Sequence, residues 1–158
     1  METPAPPTDI EATERQLDGF IAKFAPDVAA RARACRAALQ ARLPTATELV
    51  YDNYNALAIG YGPGDRASEA IVSLAVTTRG PALYFLHGAR LPDPHGLLQG
   101  SGRQGRFVRL AGPESLDQPA IRRLLADALA DAPLPLPASG KGRTVIKSIS
   151  AKQRPRRV

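Results

Sequence analysis

Residues 70–87 read AIVSLAVTTRGPALYFLH, and this stretch decides the fold class. Val72, Leu74 and Val76 alternate with Ser73, Ala75 and Thr77, the period of a strand with one apolar face. Arg79-Gly80-Pro81 then reverses the chain before a second strand over Ala82–His87. A reversal this short joins antiparallel neighbours, because parallel ones need a long crossover. Working upstream, Ala56–Tyr61 reads as another strand, closed by the turn Gly62-Pro63-Gly64-Asp65. Working downstream, a Gly- and Pro-rich loop leads from His87 to a strand at Arg106–Leu110.

Helical signals flank this region. Thr8 and Glu11 form a capping box that opens a helix, with Ile10, Leu17, Ile21 and Phe24 on one face and Pro26 stopping it. A second helix starts at Pro26-Asp27 and carries the stripe Val28, Ala32, Cys35, Leu39 and Leu43. Ala46–Tyr51 reads as a short helical turn. Ser115 with Gln118 reads as a second capping box, ahead of Ile121, Leu124, Leu125 and Ala128. The expected fold is therefore α+β: an antiparallel sheet of four or five strands with helices on one face, two before it and one after its last core strand. Residues 1–7 read as disordered, 8–132 as the domain and 133–142 as a Pro-rich linker. Residues 143–158 read as an optional strand at Thr144–Ile149 followed by a mobile basic tail.

The charge is uneven. The chain of 158 residues has 21 basic and 15 acidic residues, a net charge of +6. Lys141, Arg143, Lys147, Lys152, Arg154, Arg156 and Arg157 crowd the last stretch with no acid among them. The remainder is close to neutral, so the pI of about 10.0 belongs to the tail. One cysteine excludes an intrachain disulfide and any CxxC site. No apolar run is long enough to span a bilayer, and METPAPPTDIEATE lacks the features of a secretory signal. These features lead us to expect a cytoplasmic protein with no membrane partner.

Gly100-Ser101-Gly102-Arg103-Gln104-Gly105 matches GxGxxG, but a strand follows where a dinucleotide site needs a helix. Its glycine amides, beside Arg103 and Arg106, suggest at most a small anion nest. His87, Asp93 and His95 have the composition of a two-histidine, one-carboxylate metal set. Glu11, Glu14 and Asp18 make an acidic strip on the first helix, a candidate for weak cation binding. Tyr51, Asp52, Tyr54 and Tyr61 sit where a turn meets a strand and are the candidate polar wall of a pocket. Lys147, Lys152, Arg154, Arg156 and Arg157 suggest phosphate-backbone binding, although residues 141–158 contain no aromatic side chain to stack a base. Cys35 lies within an apolar stripe and reads as core rather than nucleophile. No Ser-His-Asp order, HExxH, Walker loop or EF-hand loop is present.

Leu49–Tyr54 followed by Ala56–Pro63 resembles the opening of the YdhG-like domain family. Tyr84–Pro94, Leu97–Gly102 and the strand from Arg106 resemble its central signature, and Val145–Arg157 resembles the tail of one subgroup. The resemblance spans residues 45–157. It implies an antiparallel sheet with helices packed on one side, a fold compared with that of frataxin-type proteins, and hence iron handling through surface carboxylates. It carries no catalytic residues. The sequence thus leads us to expect a non-enzymatic binding domain with no required cofactor. It would engage a small anion or an acidic partner through Arg90, Arg103 and Arg106, with Asp93 at the rim. An iron carrier and a nucleic-acid-associated protein are the alternatives.

Overall fold

The computed structural model describes residues 9–158. Residues 1–7 and the Thr8 half of the first capping box lie outside the described residues. The element order is α1 (Asp9–Ile21), α2 (Pro26–Arg42), β1 (Thr47–Asp52), β2 (Leu57–Gly62), β3 (Val72–Thr77), β4 (Gly80–Phe85), β5 (Arg106–Arg109), α3 (Pro119–Asp131) and β6 (Thr144–Ile149). The fold is α+β. Its sheet has six strands in the order β5-β4-β3-β2-β1-β6.

The register sorts the side chains by face. Val50 pairs with Ile59, Ile59 with Leu74, Leu74 with Leu83 and Leu83 with Val108, so one row of apolar residues crosses the sheet. Directly opposed residues share a face. Phe20, Val28, Cys35, Leu39, Ile121 and Leu124 from the three helices, with Phe24 from the α1–α2 connection, join that row in one buried cluster. The other face is small-sided: Ala58, Ala75 and Ala82 line up across it, beside Ser73 and Tyr84. The β2–β3 connection folds over part of this second face, where Gly60 and Gly62 pass Ala70 closely.

Four expectations need correction. Thr47–Asp52 is the strand β1, not a helical turn. It is covered from both sides, so the alternation that marks a strand is missing from its sequence. The sheet has six strands rather than four or five, and it is mixed, because β6 runs parallel to β1. Ser115 does not cap α3. It lies in a 3-10 segment, Pro113–Asp117, and its hydroxyl accepts the Ala111 N–H. Ile10 is 78 % exposed, outside the stripe assigned to it.

After α3 the chain crosses to the far edge of the sheet and enters it as β6. Glu48 N–H donates to the Arg143 carbonyl and Gly142 N–H to the Pro44 carbonyl. Gly142 passes so close to Ala46 that a Cβ there would overlap the Ala46 carbonyl oxygen. Beyond β6, Ser150 N–H bonds to the Asp52 carbonyl and Arg154 N–H to the Tyr54 carbonyl. The sequence reads this segment as a mobile tail, whereas the structure docks it on the tip of the β1–β2 hairpin. Among the described residues no helix is long and apolar enough to cross a membrane.

Candidate functional site

Asp52 ends β1 on the helix-facing side and is fully buried. A buried carboxylate needs compensating charge, and two cations supply it. Lys23 Nζ lies 2.7 Å from Oδ2, and Arg156 Nη2 lies 3.0 Å from Oδ1. Arg156 is itself only 7 % exposed. Its Nη2 also donates to the Asn53 carbonyl at 2.5 Å, its Nη1 reaches the Tyr54 carbonyl at 3.4 Å, and its guanidinium lies 5.5 Å from the Phe24 ring centre. Gln153 Nε2 donates to the Asp52 carbonyl at 2.9 Å. Burial acts to raise the Asp52 pKa, but hydrogen bonds from Lys23, Gln153 and Arg156 outweigh it and hold the carboxyl below its ordinary value.

This socket fixes the cations around it. Arg157 donates to the Lys23 and Ala22 carbonyls at the end of α1. The Arg154 guanidinium stacks 5.6 Å from the centre of the Tyr54 ring. Lys152, Arg154 and Arg157 are exposed. Lys147, on β6, donates to the Asp65 carbonyl. The structure therefore separates the basic residues grouped by sequence: Arg156 is the buried anchor, and the others face solvent.

The tyrosine wall does not assemble. Tyr61 is buried on the helix-facing side and donates to Glu48 Oε2 at 2.8 Å. Burial, reinforced by the Glu48 charge, pushes its pKa well up. Tyr51 is on the opposite face, where burial raises its pKa and its hydroxyl has no partner among the described residues. Tyr54 is 43 % exposed at the hairpin tip. Glu48 anchors a second network, which the sequence did not reveal. Arg36 forks between Glu48 and Glu14, while Gln40 and Thr144 also donate to Glu48. Burial opposes the Arg36 charge, but the bonds to Glu14 and Glu48 prevail and raise its pKa. The Arg36 hydrogen bond outweighs burial and lowers the Glu14 pKa.

No family model, curated protein or solved structure matches the chain. The geometry alone must therefore rank the remaining candidates. In the loop, Asp93 caps its own turn, accepting Leu97 and Leu98 N–H at 2.9 Å. Arg90 is paired with Asp131 at 2.7 Å. Arg106 Nη1 donates to the Gly102 and Gly105 carbonyls, so the GxGxxG loop turns carbonyls, not amides, toward this cation. Arg103 is exposed. His87 lines a mainly apolar cleft with Ile71, Phe85, Leu91 and Leu134, whereas Asp93 and His95 line a separate depression against α3. On α1, Asp18 is paired with Arg33 as Glu14 is with Arg36, and Glu11 completes the strip. Among the described residues no group of three or more His, Cys, Asp or Glu is placed to hold a metal ion. Cys35 is buried, and burial, with the Glu114 charge, lifts its thiol pKa to about 11.

Proposed function

We propose that this chain is a cytoplasmic, non-enzymatic binding domain that engages a polyanion through its docked C-terminal segment. The observation that carries this reading is the Arg156–Asp52 contact. It turns a run of basic residues into a fixed surface, because Lys152, Arg154 and Arg157 flank a side chain that cannot leave without taking one of two cations from a buried carboxylate. Cations held in place lose less conformational freedom on binding than cations on a loose tail. We also retain the YdhG-like membership suggested by the residue motifs.

The loop supports a second reading, in which a small anion or acidic partner binds at Arg103. Its exposure favours this, but Arg90 would have to leave Asp131, and Arg106 its two carbonyls, to assist. Iron delivery ranks third, since Glu14 and Asp18 already hold arginines. The test is the salt dependence of duplex DNA binding. Replacing Lys152, Arg154 and Arg157 by Ala removes three cations, which should flatten the log–log salt slope by about 2–3. An unchanged slope refutes the reading.

A further inference from the structure

We infer that the hairpin tip Asn53–Asn55 and the C-terminal segment together form a site for single-stranded nucleic acid. This inference rests on the polyanion reading above and narrows it. The sequence offers no aromatic residue within the basic stretch, but the fold supplies one. Tyr54, a hundred residues upstream of Arg154, is held against it by the Arg154 N–H to Tyr54 carbonyl bond of 2.9 Å. Tyr54 is 43 % exposed, so the residue retains accessible surface beyond its Arg154 contact.

On either side of that ring, Asn53 and Asn55 are exposed, and their side-chain amides make no hydrogen bond among the described residues. Lys152 and Arg157 are exposed in the same docked segment, Arg157 on the Lys23 and Ala22 carbonyls, and Lys23 is tied to Gln153 at 3.1 Å. Each component matches one feature of an unpaired nucleotide. The aromatic ring offers a stacking surface, the amides offer donors and acceptors for a base edge, and the cations suit the phosphates. A duplex keeps its bases stacked on each other and would use only the cations. An acidic peptide would likewise leave the ring and the amides without a role. The turn is also held in place, because the carbonyls of Asn53 and Tyr54 both accept from Arg156.

The experiment is fluorescence anisotropy of the full chain at one fixed salt concentration with labelled oligo(dT), a labelled DNA duplex and labelled poly-glutamate. The wild type should bind oligo(dT) most tightly. Tyr54→Ala should weaken oligo(dT) binding by about tenfold and leave duplex binding unchanged, while Tyr54→Phe, which keeps the ring, should stay near wild type. Thermal unfolding of both variants checks that they fold. If the duplex binds as tightly as oligo(dT) and Tyr54→Ala alters neither, the inference falls and the polyanion reading stands. If neither DNA nor poly-glutamate binds, both fall. If poly-glutamate binds more tightly than oligo(dT), the partner is an acidic protein and the inference is overturned.

Discussion

Replacing Arg156 by Ala tests the socket directly. The substitution removes the bonds to Asp52, Asn53 and Tyr54 together and leaves the fully buried Asp52 carboxylate with Lys23 as its remaining ion-pair partner. Removing one partner of a buried ion pair costs roughly 3–5 kcal/mol. Lys23 is itself partly exposed and still lies 2.7 Å from Oδ2, so the cost should fall at the low end, about 3 kcal/mol. For a domain of this size that lowers the melting temperature by about 6–12 °C. Arg156→Lys should recover less than half of the loss, because one ammonium cannot span a carboxylate and two carbonyls as the guanidinium fork does. Thermal unfolding gives the size of the effect, and hydrogen exchange over residues 144–157 gives its location. A melting temperature within about 1 °C of wild type, with unchanged exchange, would refute the reasoning.

Acid should loosen the same region. The Asp52 and Glu14 carboxyls are held below their ordinary values of 3.8 and 4.5, so their stabilisation is complete above those values and lost as pH falls through the lower folded ones. The melting temperature should therefore drop below about pH 4, and less steeply in Asp52→Asn; equal profiles would contradict this. Gly142→Ala should displace the start of β6, since its new methyl would meet the Ala46 carbonyl, and trypsin should then cut faster after Arg143 and Lys147. Cys35 should resist alkylation at pH 8 in the folded protein and react once the protein is denatured; rapid native labelling would show that the site is open. Arg106→Ala should raise exchange at Gln104–Phe107 by freeing the Gly102 and Gly105 carbonyls, and a phosphate-dependent rise in melting temperature that Arg103→Ala abolishes would move the loop reading to first place.

The central hairpins were legible because β3 buries one face fully and the other only in part, and its sequence alternates accordingly. Strand β1 was not, because burial on both faces erases the period of two. Strand β6 was ambiguous for a different reason. Its partner is β1, and a parallel pairing closed by a distant segment leaves no turn signal to read. The candidate site was hidden by composition. Arg156 stands in a run of basic residues that looks uniformly solvated, and the carboxylate that buries it lies a hundred positions upstream. Asp52 reads as one wall of a pocket with Tyr51, Tyr54 and Tyr61, but alternation puts Tyr51 on the opposite face from Asp52 and Tyr61, and Tyr54 lies in the turn beyond the strand.

The pairing of β1 with β6 also sets an order of events during folding. The antiparallel neighbours β1–β2, β2–β3 and β3–β4 are each joined by a short connection, whereas Glu48 meets Thr144 across 96 residues. The entropy of closing so large a loop delays that ladder behind the local ones. Until it closes, the β1 edge, with Leu49 and Val50 along it, presents unpaired backbone groups to any other extended chain. The C-terminal segment thus covers the buried-type β1 edge and leaves the more polar, solvent-facing β6 in its place, and conditions that release Arg156 and β6 would expose the β1 edge again.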